Sequence, residues 1–314
     1  SQRFQGFSEA KALQSACENN GKCTVTKAEK KEKKENAPAL YDLTSLQRDS
    51  NRILGFTAQQ TLDYTQSLYE KKLVTYPRTD SRYLTEDMVE MIPELIAEIE
   101  SVFQKKVPSN VNVMQVINGK KVSDHHAIIP TMEVKKFNLE ELPKGENAVL
   151  ELIATRLLVS VSEAYRYEEA AIELECGNSI FKAKGKTVLE LGFKSLMTSD
   201  KESKEESRKL PVLAVRDGLT INNVFIKEGK TSPPRSFTED TLLQAMENAT
   251  ADEMPKEAER KGIGTPATRA GIIEKLVQKG YLKRSGNNKV KSLIPTDKGV
   301  ALITVMPEQI QSPT

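Results

Sequence analysis

Thr75-Tyr76-Pro77-Arg78-Thr79-Asp80-Ser81 sets a tyrosine two residues before an arginine, with a proline between them. A proline pushes the residue before it toward extended geometry, and side chains two apart on an extended segment share a face. Tyr76 and Arg78 can therefore address one phosphate together. A phenol ionises near pH ~10, so it is a poor nucleophile at neutral pH. A permanently charged guanidinium beside it favours the phenolate and braces the anion under attack. The same heptapeptide also fits a tyrosine packed on a strand edge beside a solvated arginine, so its surroundings have to decide.

Upstream of it, Thr57-Ala58-Gln59-Gln60 has the capping-box pattern and is followed by Leu62, Leu68 and Leu73, which predicts a helix over 58–72. Downstream, a second helix begins after Thr85 and carries Met88, Met91, Ile92, Leu95, Ile96 and Ile99, with Pro93 expected to bend or break it. A third occupies 146–164. The segments 170–175, 179–183, 188–193, 212–215 and 224–227 have the length and alternation of antiparallel strands, and residues 199–209, nearly all charged or Ser, read as a surface loop. Residues 1–36, with 22–27 as a strand candidate, have no core of their own and are expected to join that strand zone. The fold class is accordingly α+β and multidomain. Residues 1–36 plus 166–233 form a β-rich domain, 37–165 are a helical insertion carrying Tyr76, and 234–314 form a second helical domain. An insertion entered and left by neighbouring strands implies a hinge.

The C-terminal zone holds Gly262-Ile263-Gly264-Thr265-Pro266-Ala267-Thr268-Arg269. Thr265 fits an N-cap, Pro266 the first helical position, and Gly280 a stop after Ile272, Ile273, Leu276 and Val277, which predicts a helix over 266–279. Its N-terminus, with Thr268 and Arg269, suits a phosphate, though a well-capped helix without a ligand fits equally. A weak repeat links this zone to the first: Leu54-Gly55 and Ile263-Gly264 each lead through a capped helix to an extended segment. Helix, helix, then hairpin is the plan of a winged helix. His125 and His126 are the only histidines, and adjacent residues point apart, so they are not expected to share a metal. A histidine near Tyr76 in space could hold a phosphate oxygen or move a proton.

Composition bounds the rest. With 46 Lys+Arg against 44 Asp+Glu, the chain does not hold nucleic acid by bulk charge alone, and any polyanion must meet localised basic groups. The run Lys27 to Lys34 alternates in sign and reads as a solvated strand end or linker. Apolar runs are short and interrupted by charge, so no membrane span is expected. Cys17, Cys23 and Cys176 are odd in number and not in Cys-x-x-Cys spacing, which points to a reducing compartment, the cytoplasm, and to no zinc site.

Taken together these stretches resemble the type IA DNA topoisomerases, the bacterial topoisomerase III branch most closely. The resemblance is carried by Leu43-Thr44-Ser45-Leu46-Gln47, Asn51-Arg52-Ile53-Leu54-Gly55-Phe56, the stretch from Leu73 to Leu84, Asp124-His125-His126-Ala127-Ile128-Ile129-Pro130-Thr131, Gly262 to Thr268, and Pro295-Thr296-Asp297-Lys298-Gly299. It implies that Tyr76 attacks a single-stranded DNA phosphodiester through a 5′-phosphotyrosine without ATP, that Arg78 stabilises the phosphate, and that His125, Thr268, Arg269 and Arg82 contact DNA. It also implies a β-rich arch with a swinging winged-helix-like insertion, and a bacterial, nucleoid-associated enzyme acting on negatively supercoiled or catenated DNA. Members of the family carry a Toprim domain whose Glu and Asp-x-Asp-x-Asp residues hold Mg²⁺. No two aspartates of this chain stand two positions apart, and Glu70 is only a weak candidate for the base. The expectation is a portion of a topoisomerase III that is inactive without Toprim. Two other readings use part of the same pattern: a non-enzymatic winged-helix DNA-binding protein, and a tyrosine recombinase with a 3′-phosphotyrosine.

Overall fold

The charge-alternating run at 27–34 lies inside a 14-residue strand, β1 (Lys22–Glu35). The computed structural model describes residues 4, 6–108, 110–197, 209–249, 262–287 and 289–311, and its contacts divide the chain into two compact units.

The first unit comprises Ser1–Ala37 and Glu163–Pro233. Here β1 pairs antiparallel with β2 (Tyr165–Cys176), which pairs with β3 (Ser179–Glu190), while β4 (Gly218–Thr220) lies on the other side of β1, giving the order β3-β2-β1-β4. The strand is longer than its apolar alternation suggested; two of its lysines reach glutamates diagonally across on β2, Lys30 with Glu168 at 3.0 Å and Lys33 with Glu169 at 3.0 Å. Exposed pairs of this kind are largely screened by solvent and contribute little, so the backbone ladder supplies most of the cohesion. Segments 179–183 and 188–193 were expected as separate strands. The first and the first half of the second fuse in β3, and Gly192 then turns the chain at φ +47. Segments 212–215 and 224–227 form no strand, since neither has a ladder partner. Most of the loop expected over 199–209 lies outside the described residues.

Helix α1 (Phe7–Asn20) was not expected. It buries only Ala10 and Cys17, too little for an amphipathic stripe to show. With the sheet it gathers Cys17, Cys23 and Cys176, remote in sequence, around an apolar cavity of about 250 Å³. Burial, with Cys176 alongside, pushes the Cys17 thiol up to about 11.

The second unit comprises Pro38–Ser162 and Pro234–Thr314, which the sequence reading treated as two domains. Helix α2 (Leu43–Asp49) starts at Asp42 in a capping box with Ser45 and continues as a wider π turn, Ser50–Leu54. The helix expected over 58–72 is α3 (Ala58–Glu70), with the Thr57–Gln60 capping box in place. Pro93 opens α4 (Ile92–Phe103) rather than breaking a longer helix; its missing N–H is one that the first turn leaves unpaired anyway. Helix α5 (Lys144–Ser160) packs on α3 through a core that includes Leu43, Leu46, Leu68, Leu73, Ile128 and Leu150.

Residues from 234 onward supply α6 (Glu239–Asn248), α7 (Pro266–Gln278), the hairpin β5 (Leu282–Ser285) with β6 (Ser292–Pro295), α8 (Asp297–Val305) and α9 (Glu308–Gln311). They join the earlier helices through a second core in which Ala58 of α3 meets Leu243, Met246, Ala270, Ile273 and Leu293. A buried carboxylate reinforces this seam. Glu239 accepts a hydrogen bond from the Ala58 N–H at 2.6 Å and pairs with Arg284 at 2.8 Å. The helix–helix–hairpin plan read in both halves is complete only in the second. After α3 the extended chain forms isolated bridges, Val74 with Pro130 and Leu84 with Ile117, instead of folding on itself. Among the described residues no helix is long and apolar enough to cross a membrane.

Candidate active site

Helix α3 ends in a tight reversal. The Lys72 N–H donates to Tyr69 O at 2.8 Å and the Leu73 N–H to Leu68 O at 2.9 Å, with Lys72 at φ +62. The chain then runs extended against 127–131: the Thr75 N–H donates to Ile129 O at 3.0 Å, and Thr75 Oγ1 donates to Ala127 O and accepts from the Ile129 N–H, each at 3.0 Å. Beyond Tyr76, Thr79 O accepts from the Leu43 N–H at 3.1 Å, Thr79 Oγ1 donates to His125 O at 2.7 Å, and Ser81 Oγ donates to Lys121 O at 2.9 Å. Thr79 and Ser81 are buried. The Tyr-Pro-Arg segment is thus bolted at both ends, as a site that must hold atoms to fractions of an ångström requires.

On this frame Tyr76 is half-buried and Arg78 exposed. The Tyr76 ring lies 4.2 Å from the His125 ring, tilted by 38°, and 5.5 Å from Tyr69, edge-on at 82°. Proximity of a histidine to Tyr76, which spacing could not show, is therefore present with His125; His126 instead contacts the Ala127 carbonyl through Nδ1 at 2.9 Å. His125 and Arg78 line a cleft of about 540 Å³ together with Asp42, Asp80, Asp124, Glu247, Thr265 and Arg269.

The opposite wall comes from the Gly-Ile-Gly loop leading into α7. Gly262, at φ +66, passes so close to the Met246 and Glu247 carbonyls at the end of α6 that a Cβ would overlap both oxygens. Replacing it, Gly262→Ala, is expected to destabilise the unit by roughly 2 kcal/mol. Urea unfolding checks this, and an unchanged midpoint contradicts the packing described.

The other arginines differ from Arg78. Arg269 is buried; its guanidinium donates to Ile263 O at 3.0 Å, Gly264 O at 3.1 Å and Thr44 Oγ1 at 3.2 Å, so it ties the loop to α2 while forming part of the cleft wall. Arg82 pairs with Asp42 at 2.7 Å and more loosely with Glu247 at 3.9 Å. Thr268 Oγ1 accepts from the Thr265 N–H at 2.9 Å, serving the helix cap. Arg78 makes no hydrogen bond or ion pair with a described residue, which leaves its guanidinium available to an anion. Sequence reasoning missed Asp42, Glu247 and Tyr69. Asp42 carried a signal, an Asp three residues before Ser45 at a helix start; the other two acquire their positions only through tertiary packing.

Glu70, the weak candidate for a base, accepts from Gln66 at 3.1 Å, and Tyr76 has no hydrogen-bond partner among the described residues. No three His, Cys, Asp or Glu side chains of the described residues are grouped to hold a metal. The described residues thus offer no such group for a resident Mg²⁺, and no step below runs through one.

A tyrosine and an exposed arginine, fixed beside a histidine at a cleft, suit transfer of a phosphodiester to a phenol. The chain belongs to the type IA DNA topoisomerase family: the family model described as DNA topoisomerase matches residues 1–314. It is similar to DNA topoisomerase 3 of Bacillus subtilis, 40% identical over 307 residues that cover 92% of this chain and 41% of that one. DNA topoisomerase 3 of Bacillus licheniformis is 38% identical over 309 residues, with the same shares of 92% and 41%. The structure of full-length topoisomerase I from Thermotoga maritima superposes with a TM-score of 0.71 at 25% identity, covering 97% of this chain and 48% of that one. The chain thus spans about two fifths of the length of the curated relatives it matches.

Proposed function

We propose that this chain is the tyrosine-bearing portion of a topoisomerase III, which cuts and rejoins single-stranded DNA. The carrying observation is the Tyr76 ring against His125, with Arg78, which has no partner among the described residues, on the same segment held by backbone hydrogen bonds. Tyr76 Oη attacks the phosphorus, its proton leaves, and the P–O3′ bond breaks. The phosphate remains joined to the 5′ oxygen of the downstream strand as a phosphotyrosine, and the departing 3′ oxygen of the upstream strand takes a proton to become a hydroxyl. Arg78 meets the charge that grows on the non-bridging oxygens, where a fixed donor acts without reorganisation. His125, against the Tyr76 ring and on the cleft wall, contacts the DNA beside the nucleophile. Religation is the reverse attack. One phosphoester replaces another at each step, so no ATP is consumed.

In this proposal the proton acceptor for Tyr76 and the Mg²⁺ ligands belong to a Toprim domain. The β-rich unit is the arch, α6, α7 and the β5–β6 hairpin form a winged-helix-like DNA-binding module, and the Tyr76-bearing residues swing about the chain crossings near 37 and 163 to pass a strand of supercoiled or catenated DNA. The enzyme works in the bacterial cytoplasm at the nucleoid. Residues 1–314 expressed alone are expected not to relax negatively supercoiled DNA with Mg²⁺; robust relaxation would overturn that part of the proposal.

An oligonucleotide labelled at one end or the other tests the chemistry in the full-length enzyme. A 3′-end label should remain with the denatured protein and a 5′-end label should be released. The opposite pattern indicates the 3′-phosphotyrosine of a recombinase, and no adduct at all indicates a DNA-binding protein without cleavage.

A further inference from the structure

Tyr69 stands on the last turn of α3, and the core on that helix does not use it: Leu62 and Leu68 are buried while Tyr69 is 39% exposed. Its hydroxyl forms no hydrogen bond with a described residue. What its ring does touch is the Tyr76 ring, edge-on at 5.5 Å and 82°, the T-shaped geometry that aromatic pairs favour. The two rings are held in register by the reversal between them. Lys72 at φ +62 and the hydrogen bonds returning to Tyr69 O and Leu68 O bring Tyr76 back over the end of the helix from which Tyr69 projects.

Resting on the reading of Tyr76 as nucleophile, we propose that Tyr69 is a positioning residue: its ring, opposed by His125, holds the Tyr76 ring in the orientation that aims Oη at the phosphorus. Even on a fixed backbone, a phenol attached through two rotatable bonds sweeps a wide arc. Ring contacts with both Tyr69 and His125 narrow that arc before DNA arrives, so less orientation remains to be achieved at the transition state. Because the contact is made by the ring and the hydroxyl has no partner among the described residues, phenylalanine should serve as well as tyrosine at position 69. A residue that instead supported DNA by stacking would change affinity, and one that supported only the fold would change the melting temperature.

The test is single-turnover cleavage of a saturating oligonucleotide by the full-length enzyme. Tyr69→Leu and Tyr69→Gln are expected to slow adduct formation about tenfold, a modest share of what misplacing a reacting group costs, with DNA affinity and melting temperature held near the parent values; Tyr69→Phe is expected to cleave at the parent rate. Parent-rate cleavage by both non-aromatic variants overturns the inference. So does a Phe variant as slow as Leu, which assigns the role to the hydroxyl, or a loss of rate matched by a loss of affinity, which assigns it to DNA contact. These outcomes are separate from the nucleophile assignment, which fails only if Tyr76→Phe still forms the adduct.

Discussion

Changing Tyr76→Phe in the full-length enzyme is expected to abolish the covalent DNA adduct while DNA affinity stays within about twofold, because the substitution removes one oxygen and nothing that the fold uses. The Tyr76 contacts in the structure are ring contacts, with His125 and Tyr69, and a phenylalanine ring keeps both. Its hydroxyl bonds to no described residue, so no buried partner is left unsatisfied. Melting temperature should accordingly be unchanged. Denaturing gels with labelled DNA read adduct formation and filter binding reads affinity. An adduct that persists refutes the role of Tyr76, and loss of binding in proportion to cleavage reassigns it to DNA recognition.

Arg78→Ala is expected to slow cleavage by about 10²-fold or more, equivalent to roughly 2.7 kcal/mol of transition-state stabilisation. The arginines around the cleft differ in what holds them. Arg269 is committed to loop carbonyls and Thr44, and Arg82 to Asp42, whereas Arg78 is exposed and has no partner among the described residues. Its removal should leave stability within about 0.5 kcal/mol of the parent, as for a surface change that touches nothing. A lysine there retains the charge but not the planar fork, so Arg78→Lys should recover only part of the rate. Single-turnover rates that are unchanged in Arg78→Ala would remove the guanidinium from the mechanism.

Much of the local structure was legible because it is written in local chemistry. The Thr57–Gln60 and Thr265–Thr268 boxes open α3 and α7 within a residue of where the capping pattern placed them. The Tyr-Pro-Arg segment, expected to be extended from the preference of a residue before proline, instead bends at Pro77 and Arg78. What escaped depends on partners distant in the chain. Segments 212–215 and 224–227 alternate like strands but meet no ladder, while β1, unpromising for its charge, finds glutamates on β2. Proximity of Tyr76 to His125 arises from 73–75 pairing with 129–131, an arrangement no spacing could reveal. The same holds for Arg269: a basic residue in the first turn of a helix suggests an anion site, but only tertiary packing shows its donors occupied by Ile263, Gly264 and Thr44. Three cysteines with no motif spacing meet around one cavity for the same reason.

Identifying the amino acid that carries DNA in a trapped cleavage complex tests the central claim most directly. Full-length enzyme is quenched during cleavage, digested with protease and nuclease, and the nucleotide-bearing peptide is sequenced by mass spectrometry. The account predicts a single modified position, Tyr76, bearing a 5′-phosphoryl nucleotide. Modification of Tyr69, Tyr83 or any other side chain, with Tyr76 unmodified, would contradict it.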